Sequence, residues 1–168
     1  MKTELDFHPL SRERHVDAVA AFFERAADYV MFESGQLADA STAGAFFEDR
    51  APGCDPGDSL KSACARADGG IIGIADMSFG YPEKPDAYIG LLLIDPGVRS
   101  QGVGRQFLEC LVNEARLRKC KRMPVAVLDE NARGRAFWER EGFVIEKSFE
   151  PRQIGSKVHV LHRLTRAL

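Results

Sequence analysis

The sequence lacks the features that would take it out of the aqueous globular class. No apolar run approaches the roughly 18 residues of a membrane span; the longest, Ile89 to Ile94, has the length of a strand. The first residues, Met1 to Asp6, are polar and acidic, without the apolar centre of a signal peptide. Cysteine is scarce. Cys54, Cys64, Cys110 and Cys120 form no Cys-x-x-Cys pair and have no histidine at zinc-ligand spacing. Reduced, partly buried thiols and a cytoplasmic location are expected, with no metal site. Neither sign of charge dominates: 23 Lys/Arg face 25 Asp/Glu, a net −2, which argues against general nucleic-acid or membrane-surface affinity. Internal repeats and low-complexity tracts are absent. What is present is 168 residues, 45% apolar and 29% charged, the size and balance of one soluble domain, placed at residues 5–168.

The charge is unevenly distributed. Residues 1–98 carry a net −9 and residues 99–168 a net +7. Two readings stay open: an acidic side for a cation and a basic side for a polyanion, or surface charge that fell unevenly. The acidic half favours a cationic acceptor in any reaction. A nucleic-acid-binding domain using the basic half ranks last, and predicts strongly salt-dependent binding.

Hydrophobic periodicity orders the chain. Val16, Val19, Ala20, Phe23, Ala26, Ala27 and Val30 recur at helical spacing, with Ser11 or Asp17 as the cap. A shorter helix is predicted over Thr42 to Asp49, then a Pro/Gly loop over Ala51 to Asp58. Strands follow at Ser62 to Ala67, Ile71 to Phe79 and Ala87 to Ile94, the last covered on both faces. In the second, Ile72, Ile74, Asp76 and Ser78 share one face, and Ile71, Ala75, Met77 and Phe79 the other. A long helix from Gly102 to Lys119 buries Val103, Phe107, Leu108, Leu111, Val112 and Ala115. Met123 to Leu128 reads as a strand, and Asn131 to Glu141 as a helix ended by Gly142. Val144 to Phe149 and Lys157 to Leu164 read as closing strands, the latter with His159 and His162 on opposite faces. Early hairpins and later β-α-β units indicate an α/β chain with a mixed sheet flanked by helices.

The most specific stretch runs from Leu91 to Arg105. A buried strand ends at Pro96, and a loop enters a helix through Gly102 and Gly104. Glycine there lets main chain approach a ligand, and the free N–H groups of a first helical turn favour an anion. Arg99 and Arg105 add full charges, so the site suits a pyrophosphate. A nucleotide P-loop is excluded because Arg105 and Gln106 follow Gly104 in place of Lys-Ser/Thr. A dinucleotide fingerprint fails because Phe107 stands where a third glycine is needed.

Arg99-Ser100-Gln101-Gly102-Val103-Gly104 resembles the acetyl-CoA motif of the GNAT superfamily of acyl-CoA-dependent N-acetyltransferases, Arg/Gln-x-x-Gly-x-Gly/Ala. A second block, Asn131 to Phe143, is similar to that family's Asn-x-x-Ala-x-x-Phe-Tyr-x-x-x-Gly-Phe. The resemblance implies a central, mixed but mostly antiparallel sheet flanked by helices, with acetyl-CoA and an amine as substrates, no metal, and a homodimer in many members. It implies that Arg99 to Gly104, with Arg105, cradle the pyrophosphate. The pantetheine arm would lie beside Leu92, Leu93 and Ile94, in a slot left where Met123 to Leu128 splays away. The N–H near Leu93 would hold the thioester carbonyl, and Asn131, Phe137 and Trp138 would complete the site.

Trp138 departs from the pattern. The family often has tyrosine there to protonate the leaving thiolate, and an indole N–H is no acid at neutral pH. Packing against the core or walling the cofactor slot is the alternative role.

The reaction implied is direct attack of a neutral amine on the thioester, so a base must take a proton and main-chain N–H must stabilise the oxyanion. Base candidates are Asp28, Glu33 and Asp76. Asp76 lies in an apolar strand, where it is either a desolvated base or a paired carboxylate. Asp28, Tyr29 and Glu33 are either an exposed helix end or, as the resemblance implies, an acceptor wall; Tyr81 and Tyr88 flank the neighbouring hairpin. The competing reading is a GNAT-fold acyl-CoA-binding sensor without turnover, which Trp138 favours.

Overall fold

The computed structural model describes residues 4–168. Met1 to Thr3, part of the segment read above as no signal peptide, lie outside the described residues. Nine strands and five helices follow in the order β1 (Leu5–Pro9), α1 (Arg12–Arg25), α2 (Ala27–Ser34), α3 (Ala40–Glu48), β2 (Ser59–Arg66), β3 (Ile71–Phe79), β4 (Ala87–Ile94), α4 (Val103–Leu117), β5 (Arg122–Leu128), α5 (Ala132–Arg140), β6 (Val144–Ser148), β7 (Arg152–Ile154), β8 (Lys157–His159) and β9 (Leu161–Ala167).

Seven strands form one sheet in the order β1-β2-β3-β4-β5-β9-β6, and β7 and β8 form a separate hairpin. All neighbours in the sheet are antiparallel except β4 and β5. That parallel pair is joined through α4, as a β-α-β unit requires. One face of the sheet is covered by α1, α2 and α3, through Phe22, Phe23, Phe46 and Ile74. The other is covered by α4 and α5, through Phe107, Leu111, Trp138 and Phe143. The six residues predicted for the buried stripe of α4 are all buried, because one stripe of a 3.6-residue period must meet the sheet.

One strand is unforeseen, and the bounds and faces of other elements need correction. Leu5–Pro9 is an edge strand, paired with β2 from Leu5↔Arg66 to Pro9↔Ser62; five residues ending in proline carry too little alternation to announce it. The first helix is two helices, broken at the buried Ala26. No glycine or proline marks that break. Arg25 anchors it, donating from its guanidinium to Ile71 O at 2.7 Å and to Asp95 at 2.9 Å. Strict alternation in β3 fails, because Ile72 is an extra residue opposite Cys64/Ala65; Ile72 therefore packs with Ala75 and Met77. The final strand is interrupted at Val160, so His159 and His162 belong to different strands. His159 Nε2 bonds Glu33 O at 2.7 Å, whereas His162 meets Asp129 at 2.6 Å.

The parallel pair decides where a site can form. β4 and β5 share one ladder position, Ile89↔Val125, and an isolated bridge at Asp86↔Arg122. Lys121 N donates to Pro85 O at 2.7 Å on the same side. Asp86 is fully buried and takes both oxygens to Arg122, at 3.0 and 2.8 Å. Past Val125 the strands part, so β4 is not covered throughout as expected: Gly90 is exposed and Leu91, Leu92 and Ile94 are half-buried.

Asp86 is the buried partner, whereas Arg122 is one-third exposed and keeps Glu146 at 2.6 Å, so the cost of losing the Asp86 charge is that of its charge-assisted hydrogen bonds. Asp86→Asn should therefore lower the unfolding free energy by about 2 kcal/mol. Urea titration of both proteins measures this, and a change under about 1 kcal/mol contradicts the role given to the pair.

Candidate functional site

The cleft above the fork encloses about 590 Å³ and is walled by β4 from Gly90 to Ile94, by β5 from Val125 to Val127, and by the N-terminal ends of α4 and α5. A cavity of this size falls within the range that takes a small-molecule ligand.

Main chain supplies its donors. Asp95 N donates to Ile72 O at 2.9 Å, within a register that pairs Gly73 with Ile94, Ile74 with Leu93 and Asp76 with Leu91. Antiparallel pairs alternate, so the N–H of Leu93 is spent on β3. The amides of Leu92 and Ile94 face the cleft instead, and these are the N–H groups near Leu93 that open onto it. The buried Leu93 side chain packs in the core on the α1 side.

At the mouth of the cleft, the first hydrogen bond of the α4 ladder is Gln106 N to Gly102 O at 3.1 Å. The N–H groups of Val103, Gly104 and Arg105 precede it and have no intrahelical acceptor. Gly102 stands at φ +83°, and a Cβ there would project into open space. Glycine is needed for the backbone angle, and it leaves the approach to those amides clear. Ser100 is also left-handed, at φ 62°; its hydroxyl accepts from Arg133 at 2.8 Å. Val103 is buried, so only its main chain serves the cleft. Gln101 is exposed and caps back onto Gly97 O at 3.3 Å.

Four arginines line the cleft: Arg99, Arg105, Arg133 and Arg140. Arg99 is already committed. Its Nε donates to Ile94 O at 2.9 Å and its other nitrogens hold both oxygens of Asp28, at 2.6 and 3.2 Å. It therefore ties the loop to β4 and α2. Arg105 is largely exposed and lies 3.8 Å from Glu141. Asn131 caps α5, its Oδ1 accepting from Gly134 N at 2.9 Å, which leaves its amide group for the cleft. Trp138 is buried, edge-on between Phe137 and Phe143 with both centroids at 5.0 Å. The indole is thus part of the core on one side and a wall of the cleft on the other.

The three carboxylates have different surroundings. Asp28 is held below the usual carboxylate range by its hydrogen bonds from Arg99. Asp76 is buried, and burial raises its pKa against the opposing pull of Lys61, whose ammonium lies 2.6 Å away and also donates to Asp49 O. A Cβ on Gly90 would come within 2.7 Å of Asp76 Oδ2, so glycine makes room for this carboxylate. Glu33 makes no salt bridge among the described residues, and burial pushes its pKa up against the opposing pull of the Tyr29 hydroxyl and of His159. It accepts from the Tyr29 hydroxyl at 3.2 Å. Tyr29 lines the cleft and is shifted up by burial, then by Glu33. Tyr81 is elsewhere: it lines a second cavity with Tyr88, their rings edge-on at 5.2 Å. Sequence reading missed Lys61 and Arg152, which belong to no motif and reach their places only through the sheet and the β7–β8 hairpin, and it gave no role to Glu141, which ends α5 inside the second block.

Comparison with known proteins agrees with this geometry. The model of the family described as "Acetyltransferase (GNAT) family" matches residues 20–143. A mycothiol acetyltransferase from Beutenbergia cavernae is 34% identical over 76 residues, which span 45% of this chain and 25% of that protein. The chain thus matches about a quarter of the length of this curated relative. An acetyltransferase from Thermus thermophilus superposes with a TM-score of 0.80 at 23% identity, over 98% of this chain and 97% of that one. A ribosomal-protein-alanine N-acetyltransferase from Brucella melitensis does so at 0.72 and 18%, over 97% and 99%. At these identities the two structures speak for the fold.

Glu33 gives a pH signature. Its folded pKa is raised, so the folded state keeps this proton to higher pH than the unfolded chain does. Its contribution is therefore most favourable below the ordinary value of 4.5 and is lost as pH rises through the folded value. The stability of the wild type relative to Glu33→Gln should fall as pH climbs from 4.5 toward neutrality. Denaturant titrations across that range check it; a flat difference contradicts the burial assigned to Glu33.

Proposed function

The chain belongs to the acetyltransferase (GNAT) family, and on that premise we propose that it transfers an acetyl group from acetyl-CoA to an amine by direct attack, with both substrates bound together. The observation that carries this reading is the parted parallel pair with unspent amides at both ends of one cleft. Free N–H groups at the start of α4 suit a diphosphate, and slot-facing amides of Leu92 and Ile94 suit an extended arm with hydrogen-bonding groups along it. Acetyl-CoA supplies an activated thioester.

The residues then divide the work. The amides of Val103, Gly104 and Arg105 hold the diphosphate, with Arg105 and Arg133 adding charge. Arg99 acts as a strut, because its guanidinium is spent on Ile94 O and Asp28. The Asn131 amide group donates to the arm. A slot-facing β4 amide meets the oxyanion, a fixed donor that needs no reorganisation during reaction.

Among the three carboxylates, Glu33 best suits the base. Asp28 and Asp76 are each paired with a cation. A raised pKa makes Glu33 a stronger proton acceptor than an ordinary carboxylate once ionised. The Tyr29 hydroxyl takes the proton from the amine as it passes its own to Glu33, so the phenol starts and ends neutral. Trp138 has no acid to offer, and its packing accounts for its identity without invoking a protein that binds and does not turn over. Location in the cytoplasm fits four free thiols.

Release of coenzyme A thiol with a panel of amines tests the activity; acetyl-CoA binding without release from any amine overturns it. Gly102→Val places a branched side chain at φ +83° against the diphosphate. We expect acetyl-CoA affinity to fall at least about tenfold, near 1.4 kcal/mol, while circular dichroism still reports a folded protein. Unchanged affinity in calorimetry would remove the diphosphate from this loop. Glu33→Gln should lower kcat by about a hundredfold with acetyl-CoA affinity retained, and Tyr29→Phe should lower it as well. Full turnover by both variants refutes the relay.

A further inference from the structure

A second cavity, of about 640 Å³, meets the first through Ala126, which lines both. Its walls combine aromatic and basic groups: Tyr81, Tyr88 and Phe149, with Lys147, Arg152 and Arg163. Arg163 is neutralised by Glu146 at 2.9 Å. Lys147 lies over the Phe149 ring, 5.0 Å from its centroid. Arg152 pairs with no carboxylate among the described residues. Glu150 is the only acid on the wall, so the lining is net basic.

Arg152 is held there by construction. It begins the β7–β8 hairpin, whose tip is fastened to α2: Ser156 N and Oγ both donate to Ser34 O, at 2.8 and 3.1 Å. His159, on the returning strand, bonds Glu33 O. The residue that carries the free guanidinium is thus tied to the helix that carries Tyr29 and Glu33. Arg152, an exposed residue, stands opposite His159 in the hairpin register, and it lines the second cavity together with Tyr88.

The region beyond the thioester slot therefore has two ends of opposite sign, Tyr29–Glu33 at one and Arg152 at the other. We propose that the acceptor is a small zwitterion, an amine that also bears a carboxylate or comparable anionic group, with Arg152 as the residue that selects the anion. This rests on the acetyl-transfer reading and departs from the expectation of a simply cationic acceptor. The acidic half of the sequence suggested a cation, but Asp28 and Asp76 are neutralised by Arg99 and Lys61. An amine directed to Tyr29, which is bonded to Glu33 behind it, and an anion directed to Arg152 leave neither group without a partner. A plain alkylamine would leave the guanidinium without a partner.

Phenylalanine and leucine, each set against its decarboxylated amine and its amide, form the test. With wild type saturated in acetyl-CoA, kcat/KM for the acids should exceed that for the analogues lacking the carboxylate by about tenfold or more, the worth of one charge-assisted hydrogen bond. Arg152→Ala should collapse that ratio, Arg152→Lys should keep part of it, and Arg152→Glu should invert it. A wild-type ratio near unity, no acid turned over, or a ratio untouched by Arg152→Glu overturns the proposal. Acetyl-CoA titration by calorimetry keeps the two readings apart. Failure to bind acetyl-CoA sinks the transferase reading, whereas binding with turnover of plain amines alone sinks only the zwitterionic acceptor.

Discussion

A fork in the sheet organises this molecule. β4 and β5 are parallel neighbours that touch at Ile89↔Val125, are locked below it by the buried Asp86–Arg122 pair, and separate above it. A continued ladder would consume the main-chain groups of Leu92 and Ile94. Because the strands part, those polar groups are left facing a cleft, and buried backbone donors need partners. The cost of an unfinished sheet is thus the origin of a binding slot. Its base must be rigid for its mouth to stay open, which gives a fully buried aspartate its place in the fold.

The other parts align on that fork. α4 begins where β4 ends, so its free amides stand at one end of the slot. α5 begins where β5 ends, so the capped Asn131 and the buried Trp138 stand beside them. α2 reaches over from the opposite face with Tyr29 and Glu33, and Arg99 connects it to the loop through Asp28. The acidic and basic halves of the chain are therefore interlocked by Asp28 with Arg99 and by Asp86 with Arg122, while Arg25 with Asp95 joins distant segments of the acidic half. The uneven charge in sequence becomes neutralised struts in the fold, and the free charge left near the slot differs from what either half suggests.

Much was legible beforehand because it is local. The stripe of α4 follows from a 3.6-residue period, the glycine entrance from backbone angles that glycine tolerates, and the second block ending at Gly142 and Phe143 from helix termination chemistry. Illegible features depend on partners distant in the chain. The break at Ala26 answers to Arg25 reaching the sheet, the interruption at Val160 separates two histidines with different partners, and β1 exists because β2 offers it an edge. Asp76 could be read from sequence as a base or as a paired carboxylate, and only the placement of Lys61 on the neighbouring strand shows that it is paired.

Sequence alone determined the family resemblance, the helix that presents its amides and the residues at its entrance, since each rests on spacing over a few turns. Tertiary structure decided which amides of β4 are unspent, which carboxylates are neutralised, and that Arg152 is carried to the vicinity of Tyr88. Ladder alternation, ion pairing and hairpin docking are relations between segments, and a local pattern carries no record of the partner it will meet.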